Sequence, residues 1–431
     1  MKNIFTNIYN FFKPGLTNIL RLVRQIILAV IVGAAAGGVG ILFYHGMNLV
    51  TGARLAHPAL LYFLPLGGLL IVFLYRISGQ YDNKGTNLML LGVQSNEKIS
   101  IKVAPLIFVS TLITHLFGGS AGREGAALQI GGSVGDFLGR LKIFKGTDEH
   151  IFIMCGMSAC FSAVFGTPLA AAVFSMEVIS VGIIHYSALV PCVISSFTAS
   201  ALARRFGALP EFYQISSIPD FYELAHGLPQ HFPALRVLLL AVIFAAVSAL
   251  FCICLHLSEH LYKKYFKNPY LRIFVGGCLI ILLVTIFQTR DFIGTGVPMI
   301  KECFSGASMP WYAFLLKILF TALTLGAGFK GGEIVPSFFT GAVLGCFLGP
   351  VVNLPAPLCA ACGMAGVFCG VTNCPITSLL IAFELFGFQA MPYFVITVAV
   401  CYMVSGYYGL YSSQKIVYSK YQTKFINRKT H

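Results

Sequence analysis

Long apolar runs with almost no charge dominate the chain; residues 26–44, 237–257 and 390–404 are the clearest, and short polar joints separate them from their neighbours. Such runs match the ~20 apolar residues that an α-helix needs to cross the ~30 Å hydrocarbon core of a bilayer. Nowhere does the chain read as segments of about ten residues alternating in polarity, so helices rather than a closed barrel must satisfy the backbone in lipid. The pattern predicts an all-α, multi-pass integral membrane protein with the lipid bilayer as its surroundings. Composition agrees, since 57% of the 431 residues are apolar and only 10% are charged, which sets the chain apart from soluble globular proteins.

The formal charge of +14 raises the question of nucleic acid, but the basic residues sit at the ends. Lys2, Lys13, Arg21 and Arg24 precede the first apolar run, Lys415, Lys420, Lys424, Arg428 and Lys429 follow the last, and neither end carries an acid. The positive-inside rule then predicts two cytoplasmic termini and an even number of crossings. The charge is topological and implies no nucleic-acid partner. No cleavable signal is expected, because the basic amphipathic lead runs straight into a full-length apolar span. Of the thirteen cysteines, Cys155, Cys160, Cys252, Cys254, Cys369 and Cys374 fall within apolar segments, where cysteine is a small hydrophobe. Cys359 and Cys362 form one CxxC with no second pair or nearby histidine, so neither a metal nor any other cofactor is expected.

The chain is written twice. Residues 155–177, CGMSACFSAVFGTPLAAAVFSME, align without gaps on residues 362–384, CGMAGVFCGVTNCPITSLLIAFE, at an offset of 207. GTNLML (85–90) likewise matches GTGVPM (294–299), LPLGGLLI (64–71) matches IFVGGCLI (273–280), and RQIILAVIVG (24–33) matches RVLLLAVIFA (236–245). The expected division is an N-terminal half over residues 1–206, an external linker over 207–232, and a C-terminal half over 233–431. Arg204, Arg205 and Arg236 around that linker are matched by Glu211, Asp220 and Glu223, so it lacks the basic excess of the ends. With the termini inside and the linker outside, each copy crosses an odd number of times, and the two are inverted relative to each other. Inverted repeats with a substrate held at the midplane are the plan of secondary transporters.

Two segments break the helical pattern. Seven glycines occur in residues 118–135 and six in residues 326–345. Such stretches predict helices that begin partway through the membrane, with free N–H groups and the positive end of the helix dipole facing inward. Gly122, Gly331 and Gly332 mark the breaks. Pro336 fits the first turn of a helix starting near Ile334 to Pro336. Thr86 and Asn87, after Gly85, are good starting residues for a third. Three such ends converging would cradle an anion without a full counter-charge.

Glu124 is then a carboxylate placed where the backbone invites an anion. Charged, it competes with the permeant ion; protonated, it steps aside carrying a proton, and so serves as gate and proton coupler. The plainer reading pairs it with Arg123 or makes it a helix cap. Glu333, beside the second break, is a proton-path candidate, with a salt bridge to Lys330 as the plainer reading. Glu177 and Glu384 occupy the same place in both copies, which argues for a shared structural job. Tyr411, just before the basic tail, can direct its phenol into the pore, although Tyr407 and Tyr408 are nearby and interfacial tyrosines are commonly anchors.

These residues resemble the CLC family of chloride channels and proton-coupled anion exchangers over nearly the whole chain. GREGA (122–126) is similar to that family's GREGP, GGEIVP (331–336) to its GxFxP, GTNLM (85–89) to its GSGIP, and LYSS (410–413) to the segment bearing its inner tyrosine. The resemblance implies a homodimer with one pore per subunit. It makes Glu124 the external gating glutamate, puts Thr86 where the ion-binding serine stands, and gives Tyr411 the inner tyrosine's place. Backbone amides around Gly125, Ala126, Ile334 and Val335 complete the implied anion site.

KGTNL, HLFGGSAGREG and GFKGGE look like the branch that exports fluoride in exchange for protons. In that branch the glutamate of GGE, here Glu333, is thought to replace the inner proton-transfer glutamate, whose position is Val178 in this chain. Asn87 stands where the family has glycine and adds donors suited to a tightly hydrated anion. The chain departs from the branch at Ala126 and Val335, where threonines are usual. The expectation is a fluoride/proton antiporter of the cell (inner) membrane, with a chloride/proton exchanger or chloride channel as the alternative. With twenty residues after Tyr411, no regulatory nucleotide-binding module is expected. An intramembrane enzyme is disfavoured, because His115 is the one histidine near the breaks and no HExxH or Ser-His pairing shares a helix face.

Overall fold

A computed structural model describes residues 2–81, 84–95, 97–141, 148–209, 211–221 and 233–430, with side chains from Ile19 onward, Leu20 excepted. Glu223 and the rest of linker residues 222–232 lie outside these residues, as do Pro210 and the side chains of Lys2 and Lys13. The first half consists of α1 (Lys2–Ala56), α2 (Leu64–Ile77), α3 (Thr86–Ser95), α4 (Val103–Leu116), α5 (Glu124–Gly139), α6 (Glu149–Phe165), α7 (Pro168–Glu177) and α8 (Leu189–Arg205). The second consists of α9 (Pro233–Tyr265), α10 (Pro269–Phe287), α11 (Val297–Phe304), α12 (Ala313–Ala327), α13 (Ile334–Val351), α14 (Ala356–Thr372), α15 (Pro375–Phe386) and α16 (Met391–Val404).

Six described segments are long and apolar enough to cross a bilayer. The ten residues of α3 and of α7 rise only ~15 Å, about half of the hydrocarbon core. Large apolar side chains face outward, Leu49 73% and Ile77 70% exposed among them, whereas the interior is rich in serine, threonine and glycine. Apolar side chains facing outward and small residues at the helix contacts are what a chain solvated by lipid requires.

The halves interlock by contacts that occur twice with roles exchanged. Gly122 N–H donates to Gly332 O at 2.7 Å, and Gly332 N–H donates back to Gly122 O at 2.8 Å. This is an antiparallel bridge between the breaks that precede α5 and α13. Lys330 N–H donates to Thr114 Oγ1 on α4 at 3.3 Å, and Ser120 N–H donates to Thr324 Oγ1 on α12 at 3.1 Å. Glu177, ending α7, accepts from Ile376 and Thr377 N–H at 3.0 and 2.8 Å and from the Thr377 hydroxyl at 2.6 Å. Glu384 of α15 accepts from Leu169 and Ala170 N–H, both at 2.9 Å. Each glutamate therefore caps the first turn of the opposite half's helix, a structural job shared by both.

Glycine lets the paired helices touch backbone to backbone. A Cβ on Gly131 would collide with Gly156 O where α5 crosses α6, and one on Gly341 would collide with Gly363 O where α13 crosses α14.

Two features add to the sequence reading. A small three-stranded sheet forms, with β1 (Ser180–Val181) parallel to β2 (Lys415–Tyr418) and β2 antiparallel to β3 (Phe425–Lys429). The basic tail is thus a docked hairpin. Lys420 is not a free interfacial charge either: it is buried, and its Nζ donates to Asn373 Oδ1 at 2.5 Å and Ser405 Oγ at 3.3 Å, over the Tyr402 ring. A charge count along the chain cannot register such contacts, because they join residues far apart in sequence.

Candidate functional site

Three helices begin close together around the glycine bridge. α5 starts at Glu124, α13 at Ile334, and α3 at Thr86 after Gly85, whose φ of +63° suits glycine. The first N–H groups of each helix have no carbonyl earlier in their own helix to bond. The meeting is tight: a Cβ on Gly125 would lie 2.9 Å from Gly332 Cα, 3.4 Å from Glu333 Oε2 and 3.6 Å from Thr86 Oγ1. Thr86, Gly125, Gly332 and Glu333 are therefore brought together. Ala126, Ile334 and Val335 are buried, so their side chains belong to the packing and their backbones to the helix starts. Gly331 packs on Ala121 at the edge of the bridge.

A cavity of about 780 Å³ opens below this point, lined in part by Thr86, Asn87, Gln129, Glu333 and Tyr411. Its wall also carries Lys84, Lys263, Arg272 and Lys330 against Glu259 and Glu333. This cationic excess raises the local concentration of anions. Glu124 is not among the residues that line it.

Glu124 is 1% exposed. Its Oε2 accepts the Arg123 N–H at 3.0 Å, and its Oε1 lies 3.5 Å from Arg123 Nε. The Arg123 guanidinium in turn sits over the Tyr44 ring, 5.1 Å from its centre. The plainer expectation of a pairing with Arg123 is met, and it holds the carboxylate at the mouth of the helix start. The other plain pairing is absent: Lys330 turns to the Tyr75 ring at 4.6 Å, and Glu333 Oε2 is buried with no hydrogen-bond partner.

Tyr411 is 2% exposed, and its phenol oxygen, inside the cavity, has no partner. Its carbonyl is fixed by Gln414 N–H at 2.9 Å and Thr430 Oγ1 at 2.7 Å. Asn87 Oδ1 accepts the Ser413 N–H at 2.8 Å. That bond leaves the donor end of the amide unengaged by Ser413. Val178 is fully buried, and its carbonyl accepts from Gln414 Nε2 at 3.0 Å. His115, also buried, meets Gly122 O through Nε2 at 3.3 Å.

Sequence reasoning missed the glutamines. Gln129 Nε2 donates to Thr86 Oγ1 and to Gly125 O, both at 3.3 Å, and so ties α3 to α5 at the site. Gln414 donates to Thr372 O at 2.8 Å and accepts from Asn373 Nδ2 at 3.1 Å, locking the segment after Tyr411. For Gln129 the available signal was a polar side chain within a glycine-rich apolar helix.

Interlocked halves, helix starts converging inside the membrane, and a buried carboxylate beside a cation-rich cavity define a membrane protein that conducts or exchanges ions. The sequence profile described as voltage gated chloride channel matches residues 67–406, and the chain belongs to that family. It is 33% identical over 419 residues to the chloride/fluoride channel protein of Pseudomonas syringae pv. tomato, covering 95% of this chain and 91% of that one. It superposes on the crystal structure of a CLC-type fluoride/proton antiporter with a TM-score of 0.86 at 34% identity, covering 92% of this chain and 98% of that one. A slow cyanobacterial Cl-/H+ antiporter shares the fold, with a TM-score of 0.73 at 20% identity over 89% of this chain and 94% of its own.

Proposed function

We propose that the protein is a proton-coupled anion antiporter that exports fluoride in exchange for protons across the cell (inner) membrane. The observation that carries this reading is that Thr86, Gly125 and Glu333 meet beside the start of α5, the helix that Glu124 opens. One carboxylate stands at a helix start where an anion is favoured, and another, with its Oε2 unpartnered, stands at the wall of the cavity. Ionised, Glu124 occupies the donor-rich end of α5 and blocks it. A proton neutralises it, weakens its hold on the N–H groups and Arg123, and frees those donors for the anion. The departing anion and the returning carboxylate thus exclude one another, which is the condition for exchange. Glu333 passes protons between Glu124 and the cavity. Tyr411 and Asn87 present donors to the anion, which must exchange its water for them.

In this reading residues 1–206 and 233–431 are two halves inverted in the membrane, residues 207–232 are external, and both termini are cytoplasmic. Two chains pair as a homodimer with one pathway each. Substrates are the anion and protons; no step calls for a metal or an organic cofactor. The relatives named for fluoride support the choice of anion. A chloride exchanger or channel is the second reading, favoured by Ala126 and Val335, which supply no hydroxyl to the track.

Reconstitution into liposomes tests the proposal. A fluoride gradient should drive opposed proton movement in the wild type, and Glu124→Gln should abolish that coupling. Fluoride-driven proton movement that survives in Glu124→Gln refutes the role of Glu124. Chloride outcompeting fluoride overturns the choice of anion.

A further inference from the structure

The loop Gly294–Thr295–Gly296 is the second half's counterpart of Gly85–Thr86–Asn87, and two cations that the transport reading leaves unused converge on it. Lys317, from the middle of α12, is 0% exposed. Its Nζ donates to Phe292 O at 3.1 Å and Gly294 O at 2.8 Å and lies 5.3 Å from the centre of the Phe339 ring. Arg54, near the end of α1, lays its guanidinium against Gly294, where a Cβ would strike Nη1. That Nη1 is buried and has no hydrogen-bond partner. Gly294 N–H bonds Gly119 O at 3.1 Å, which ties the loop to the break that leads into Glu124.

No ion pair joins Arg54 or Lys317 to a carboxylate among the described residues. Two carbonyl dipoles and a ring face do not neutralise the buried Lys317 ammonium beside the partly buried Arg54 guanidinium, and an uncompensated charge inside a membrane protein carries a large desolvation cost. An ammonium has three donors, of which the two carbonyls take two. The third, together with Arg54 Nη1, remains for a ligand with negative charge.

We propose that Arg54 and Lys317 form a second binding site for a small monovalent anion at the Gly294–Gly296 loop, related to the Thr86 site by the exchange of halves. Lys317 shares a face of α12 with Thr321 and Thr324, spaced at four and three residues. These hydroxyls meet Ser120 Oγ at 3.1 Å and Ser120 N–H at 3.1 Å. Ser120 lies two residues before Gly122, so a line of hydroxyls runs from the two cations to the start of α5. The site holds an anion waiting to enter, or just released from, the place that Glu124 contests. It rests on the anion-transport reading for the class of ligand.

Isothermal titration of the purified full-length protein with sodium fluoride, and separately with sodium chloride, tests it. The wild type should bind one more anion per chain than Lys317→Met or Arg54→Gln, or bind that anion roughly tenfold or more tightly than they do. Arg54→Lys, which keeps the charge, should recover most of the loss. Variants that match the wild type in both count and affinity overturn the site. Should neither neutral variant fold, a wild-type count of a single anion per chain overturns it and a count of two supports it. Failure of the transport reading shows differently, as wild-type liposomes without anion flux whatever the count.

Discussion

Removing a reciprocal cap should loosen the joint between the halves without touching the ion pathway. In Glu177→Gln the charge is lost and one acceptor oxygen becomes an NH₂ group that faces a donor. The native carboxylate accepts three hydrogen bonds, two from N–H groups of the first turn of α15 and one from the Thr377 hydroxyl. A hydrogen bond to a charged group contributes ~1.5–3 kcal/mol net, and a buried donor left unpaired costs ~1–3 kcal/mol. The amide retains one acceptor, so the expected loss is about 3 kcal/mol. Glu384→Gln gives up one of two bonds and should cost about 2 kcal/mol. At ~2–4 °C per kcal/mol for a chain of a few hundred residues, Tm falls by ~6–12 °C in the first case and ~4–8 °C in the second. Both caps hold the same helix pair, so the double variant should lose less than the sum. Thermal unfolding of the purified protein in detergent, followed by intrinsic fluorescence, measures all three. Transport at a temperature well below Tm should persist. A Tm unchanged in Glu177→Gln, or strict additivity in the double variant, refutes the reasoning.

Gly131→Ala should be far more damaging than its single methyl group suggests, because the added carbon collides with Gly156 O at a helix crossing; overpacking of this kind costs ~1–3 kcal/mol or more. Monodisperse yield on size exclusion measures it, and a wild-type yield refutes the close-contact reading. Lys420→Met removes the donor that ties the tail to Asn373 and Ser405, so the terminal hairpin should be cut faster by limited proteolysis. Equal cleavage rates would show that strand pairing alone holds the tail.

The helix starts were legible because backbone geometry is written locally. Gly85 before Thr86, the glycines before Glu124, and Pro336 just inside α13 are each short-range signals, and all three starts fall where those residues put them. The duplication was legible as well, since its two copies still share residues such as Cys155 and Cys362. The glutamine ties, the buried Lys420 and the terminal hairpin were not. Gln94 reaches Ile179 and Ser413, 85 and 319 residues away, and a periodic pattern carries no trace of such distances. Glu333 shows the same limit from the other side. Its sequence neighbour Lys330 suggested a salt bridge, but the lysine finds the ring of Tyr75, 255 residues earlier.

The glycine bridge has a further consequence. Because Gly122 and Gly332 hold equivalent places, a single-copy ancestor would have made this contact with itself, as two chains meeting head to head. Such a pairing permits no difference between its two mouths. Fusion into one polypeptide removed that restriction, and the positions next to the bridge drifted apart: Arg123 faces the history of Glu333, and Glu124 that of Ile334. A directional machine needs one end unlike the other, and the side chains beside this seam differ while its backbone contact stays symmetrical.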